Sequence, residues 1–140
     1  MRPGKPTTIA IVDDKPVFSL PGHPTSSLLM FHILVRPIIS DMAGSGEEIP
    51  SVVKATAVTR MFSARGRRTF IMVNLVQDKM GRFLASPAPL GQSGAITTLA
   101  RADGFVDISE KQQFVSAGDE VTVCLLRPEN FSLQVKKRRR

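Results

Sequence analysis

The chain has 140 residues, enough for one domain or for one small domain plus a piece of another. Its 42% hydrophobic content is ordinary for a soluble globular protein, and its longest apolar run, Leu28 to Ile39, is broken by His32 and Arg36 and is too short to span a bilayer. Of the net charge of +7, five cations lie in Lys136-Lys137-Arg138-Arg139-Arg140, which leaves +2 for the body and argues against a basic nucleic-acid-binding core.

The elements follow in chain order. Residues 8–12 and 16–20 are short β-prone runs, and Asp13-Asp14-Lys15 between them signals a turn, so a hairpin is expected. Pro21, Gly22 and Pro24 end strand character. From Thr25 to about Met42 the apolar residues Leu28, Phe31, Leu34, Val35 and Ile38 recur at helical spacing. Leu29, Met30, Ile33 and Ile39 widen that face, so the helix is expected to be buried on more than one side. Pro37 should bend or end it, and Ala43-Gly44-Ser45-Gly46 marks a stop and a domain boundary. After Glu48 strands are expected at Ser51–Arg60, Thr69–Gln77, Arg82–Pro87, Gly104–Ile108 and Asp119–Arg127, with a sixth at Phe131–Val135. Their regular spacing predicts a small antiparallel barrel or sandwich, with one short helix, Ser93–Arg101, inserted among the strands. Residues 129–140 form a basic tail that reads as a solvated terminus.

Core packing must rest on Phe, Leu, Ile, Val and Met, because the chain has eight Phe and neither Trp nor Tyr. The single cysteine, Cys124, sits in the apolar run Val121–Leu126 and reads as a buried structural thiol. With no disulfide possible and no secretory pattern at the start, a reducing, cytoplasmic setting is expected.

Few residues carry chemistry. His23 and His32 lie nine apart with no ligand-spaced partner, which does not resemble a metal site. His23 stands on a turn where it could touch a ligand, whereas His32 reads as a core or interface residue. The carboxylates occur as adjacent pairs in turns (Asp13-Asp14, Glu47-Glu48, Asp119-Glu120) and point to opposite faces of an extended chain, so no shared acid/base role is expected. No nucleophile elbow is present. What remains is a set suited to an oxyanion: Lys5 between Pro-Gly and Pro, Ser26 at a helix start, Arg67 in the basic turn Ser63–Arg68, and Ser93 opening the second helix. Spacing alone leaves open that these are ordinary turns, a helix-start serine and a surface arginine.

A series of ordered blocks adds a further indication. Pro3-Gly4-Lys5-Pro6 is followed by Leu20-Pro21-Gly22-His23-Pro24-Thr25-Ser26 and a helix ending Val35-Arg36-Pro37. Gly66-Arg67 and Gln92-Ser93-Gly94 come next, then Leu99–Gly104 and Ala117-Gly118-Asp119-Glu120-Val121. The series resembles the molybdopterin molybdenumtransferases, the MoeA and gephyrin E-domain group. The resemblance implies that residues 1–44 are the end of an α/β molybdopterin-binding domain (a hairpin over 8–20 and a helix over 25–42) and that residues 45–128 are the C-terminal β-barrel. It implies insertion of molybdenum from molybdate into adenylylated molybdopterin, with magnesium expected for the full-length enzyme and no cofactor held by this chain alone. It maps substrate contacts onto Lys5, Pro6, Ser26, Arg67 and Ser93, with Pro21, Gly22 and His23 forming the adjoining turn. His23 stands where the family commonly has Asn.

The sequence also lacks the family's Gly-Gly-x-Ser-x-Gly-x-x-Asp stretch. The chain is therefore expected to be the C-terminal part of a homodimeric enzyme, incomplete and inactive alone. A different reading makes the barrel a partner-protein-binding or oligomerisation module, following the gephyrin E domain, which binds receptor peptides near this barrel. The helix 25–42 is expected to leave Leu28, Phe31, Val35 or their neighbours uncovered and to promote self-association. No membrane partner is expected. Nucleic-acid binding through the basic turn and tail is disfavoured, because no aromatic pair is seen flanking the basic residues.

Overall fold

A computed structural model of the chain describes residues 3–46, 49–89, 101–129 and 131. It opens with the hairpin β1 (Thr8–Val12) and β2 (Lys15–Ser19), in register from Thr8↔Ser19 to Val12↔Lys15. The two-residue turn places Asp13 and Asp14 at φ 49° and 59°, left-handed values that match the twist of a tight hairpin and that Asp tolerates better than most residues.

The helical segment comprises α1 (Pro24–Met30), a π-helical turn (Phe31–Val35) and α2 (Arg36–Met42). Pro24 stands in the first turn of α1, where its missing N–H costs nothing. Of the two expected outcomes at Pro37, a bend or an end, the end is not seen. The backbone N–H of Arg36 reaches back five residues to the carbonyl of Phe31, and this wider turn takes up the proline, which then lies in the first turn of α2.

The expected barrel is present. Strands β3 (Val52–Ala57), β5 (Thr69–Gln77), β6 (Phe83–Pro87), β7 (Gly104–Ile108) and β9 (Glu120–Leu125) close in the order β3-β6-β5-β7-β9. One seam departs from the antiparallel expectation, since β3 and β6 pair parallel. The reason is geometric: strand directions cannot alternate all the way around a ring with an odd number of members, so one neighbouring pair must run the same way. Two further strands, β4 (Met61–Phe62) and β8 (Phe114–Val115), form a small antiparallel ribbon that the sequence reading did not anticipate. Phe131 is helical rather than the start of a sixth strand, and its ring packs on Phe83 with centroids 5.4 Å apart. The expected helix at 93–101, apart from Arg101, and the basic tail at 132–140 lie outside the described residues.

The core has two layers. Inside the barrel, Ala55, Ala57, Ala85, Val73, Leu75, Val106, Ile108, Val121 and Val123 pack with Met61 and Val115 of the ribbon. The alanines, absent from the expected core set, suit the narrow interior of a five-stranded barrel. Outside it, Phe70 and Met72 of β5 and Phe105 of β7 meet Leu29 and Met30 of α1. Strand β5 is thus covered on both faces, which explains its apolar run Phe70–Val73. Leu29, Met30 and Val35 are buried, while Phe31, Ile39 and Met42 are exposed, so the expected uncovered face is realised at Phe31 but not at Val35.

Two of the sequence blocks resolve into joints of the barrel. The buried carboxylate of Asp103 accepts the backbone N–H of Leu75 at 2.7 Å. At Gly104 a Cβ would stand 2.3 Å from the carbonyl oxygen of Cys124, so only glycine lets β7 approach β9 this closely. In the Ala117–Glu120 block, Asp119 Oδ2 accepts the N–H of Ser116 at 2.8 Å. Gly118 N–H donates to Ala57, and Ala57 N–H donates to Asp119. Gly118 has φ 92°, a left-handed value that a side chain would strain. Among the described residues no helix is long and apolar enough to cross a membrane.

Candidate ligand cleft

A cleft of about 520 Å³ lies where the start of the chain, the start of α1 and the β4–β5 segment meet. Pro3 comes from the first segment, His23, Thr25 and Ser26 from the second, and Phe62, Ser63, Ala64 and Thr69 from the third. Its floor is apolar, made by Phe70, Ile71, Met72, Pro87 and Ala88.

Local hydrogen bonds set each wall. His23 has extended backbone angles and its carbonyl accepts the N–H of Ser27 at 2.9 Å, which starts the helix and turns Ser26 inward, where it is 9% exposed. The basic turn closes with Arg67 N–H donating to the carbonyl of Ala64 at 2.9 Å. Thr69, buried at the start of β5, braces that turn from inside: its hydroxyl accepts Ala64 N–H at 2.9 Å and donates to the Arg67 carbonyl at 3.0 Å. At the chain start, the Lys5–Pro6 peptide is cis and the Thr7 hydroxyl donates to the Gly4 carbonyl.

The expected site residues are only partly united. His23 and Ser26 line the cleft, and the buried Pro21 and exposed Gly22 form the turn leading to them. Lys5, Pro6 and Arg67 are exposed and do not line it, although Pro3, Ala64 and Thr69 beside them do. Ser93 lies outside the described residues.

The basic turn is less uniform than its composition suggests. Arg68 makes a forked ion pair with Asp107, its Nε 2.9 Å from Oδ1, and the carboxylate raises the arginine's pKa through that hydrogen bond and its charge. Arg65 and Arg67 have no hydrogen bond or ion pair from their side chains to any described residue, so two cations of this turn remain available for an anion.

Sequence reasoning missed Thr25, Phe62, Ser63 and Thr69. A two-residue strand carries no periodic signal, and no motif marks a buried threonine as a brace. Beside the basic turn, Phe62 and Phe114 are cross-strand partners, and Arg60 lies 4.8 Å over the Phe114 ring. Among the described residues no three His, Cys, Asp or Glu side chains converge to hold a metal.

A second groove of about 270 Å³ runs between helix and barrel, lined by Ile33, Pro37, Phe70, Phe105, Leu125 and the polar His32, Arg36 and Cys124, among others. His32 Nδ1 lies 3.5 Å from Arg36 Nη1, one helical turn on. Cys124, expected to be buried, is half-buried because it lines this groove; burial first and the Asp107 charge second push its thiol pKa up.

Residues 54–126 match the family model described as the MoeA C-terminal region (domain IV). The chain is 35% identical over 133 residues to a molybdopterin molybdenumtransferase of Bacillus subtilis (strain 168), a match that covers 94% of this chain and 30% of that protein. It is 31% identical over 125 residues to one of Staphylococcus aureus (strain COL), covering 89% of this chain and 30% of that protein. A crystal structure of a molybdopterin biosynthesis MoeA protein from Pyrococcus horikosii superposes with a TM-score of 0.74 at 40% identity, covering 89% of this chain and 30% of that one. The chain thus spans about a third of the length of the relatives it matches.

Proposed function

The chain belongs to the MoeA family, and on that premise we propose that it supplies the barrel side of the ligand site of a molybdopterin molybdenumtransferase. On this reading it grips an oxyanion while molybdenum passes from molybdate into adenylylated molybdopterin and the nucleotide leaves. The cleft carries the reading, because it brings the chain start, the Pro-Gly turn and the basic turn together. Lys5 and Arg67 balance the oxyanion's charge, and the Ser26 hydroxyl donates a hydrogen bond to it. Ser93 supplies a second hydroxyl in the same role. Thr69 holds the Arg67 backbone in place.

Magnesium is expected for the family's reaction, but the described residues offer it no ligand set, and no step here runs through it. The remaining chemistry belongs to the family's polypeptide outside this stretch, in a homodimer that completes the site. We place the reaction in the cytoplasm. The stretch alone is expected to bind but not to turn over; release of nucleotide from adenylylated molybdopterin by this chain alone would sink that part of the proposal.

Calorimetric titration with molybdate tests the site. The chain should bind it, and Lys5→Ala and Arg67→Ala should each weaken binding roughly tenfold, the order expected for removing one charged hydrogen-bonding partner. Unchanged binding in both variants would remove these residues from the site. A second reading, a partner protein docked at the barrel, draws on the groove between helix and barrel, whose walls are mostly apolar. Charge substitutions at Ile33 and Leu125 that abolished a partner's binding while leaving molybdate binding unchanged would favour it.

A further inference from the structure

We propose that Phe62 is the aromatic wall of the cleft, against which the planar double ring of a pterin lies with its anionic substituent toward the basic turn. The proposal rests on reading the cleft as the ligand site and names what fills its apolar part.

Phe62 lines the cleft yet is 69% exposed. Alternation along β4 explains this: Met61 points into the barrel core and is 1% exposed, so the next side chain must point out. The strand is held on both sides. Phe62 pairs with Phe114 of β8, and the following residue, Ser63, donates its N–H to the Gln113 carbonyl at 2.9 Å. The strand that presents the ring is therefore held in place. Phe114 is less suited to the role, since Arg60 already lies over its face.

Size and lining point the same way. A tetrahedral oxyanion needs only cations and donors, and it would leave most of a 520 Å³ cleft, whose floor includes Ile71 and Pro87, unfilled. A flat heteroaromatic ring covers that floor, stacks on Phe62, and carries its charge to a rim where Arg65 and Arg67 have no ion pair with any described residue.

The test uses the full chain, calorimetry, and two probes: 6-hydroxymethylpterin monophosphate and molybdate. Phe62→Leu keeps apolar bulk but removes the ring, and should weaken the pterin phosphate about tenfold while leaving molybdate affinity unchanged. Phe62→Trp should retain or tighten pterin binding. Because the side chain is exposed, neither substitution is expected to unfold the barrel, which circular dichroism checks. Equal pterin affinity for Phe62→Leu and the unaltered chain overturns the proposal. Molybdate binding without pterin binding also overturns it, yet leaves the cleft reading intact; absence of both overturns the two together.

Discussion

At the scale of single residues, the decisive positions are those where backbone meets backbone. Gly104 admits no side chain, because the added carbon would lie 2.3 Å from the Cys124 carbonyl oxygen and 2.7 Å from Val123 Cγ1. Gly104→Ala must push β7 away from β9, and should cost about 3 kcal/mol or more in urea denaturation. Asp78 binds the backbone N–H of Arg82 at 2.9 Å, the largest cause holding its carboxyl below the ordinary range. A lowered pKa means that its contribution is complete above the unfolded carboxylate range and is lost as pH falls through the folded value. Asp78→Ala should therefore lower stability at neutral pH and flatten the loss on acidification, read from thermal melts at stepped pH. Cys124 shows the opposite direction: with its thiol pKa raised, it should react with iodoacetamide at pH 8 more slowly than glutathione does.

Among the elements, the helical segment is tied to the barrel more firmly than its sequence suggests. Leu29 and Met30 have no exposed surface and share a cluster with Phe70, Met72 and Phe105. Leu29→Ala should cost about 2–5 kcal/mol, measured by chemical denaturation, and should loosen the wall that holds Ser26. A cost below about 1 kcal/mol, the usual effect of a surface change, would show that the helix does not rest on the barrel in solution. The hairpin is different. All of β1 is exposed, with Ile9 at 50% and Ile11 at 76%, so its turn and register hold it rather than burial.

At the scale of the molecule, a barrel with its own interior carries a helix on its outer face and a hairpin that buries little. Ile9 and Ile11, on one face of the hairpin, offer apolar surface. Self-association through this hairpin is expected, and Ile9→Lys with Ile11→Lys should shift light scattering toward the monomer. A strictly monomeric unaltered chain at high concentration would contradict it.

Periodicity alone determined the five barrel strands, the hairpin and the helix, because alternation and helical spacing are local consequences of which face meets the core. Tertiary structure decided the rest. Ring closure with an odd strand count imposed the parallel β3–β6 seam, a constraint no single strand carries. Strand pairing across distant sequence made joints of Asp103-Gly104 and Gly118-Asp119, where the sequence showed only a likeness. Packing of β5 beneath α1 brought Ser26, Phe62 and Thr69 to one cleft, while Asp107 claimed Arg68 and spared Arg67. Such convergence depends on contacts between segments far apart in the chain, which local spacing does not encode.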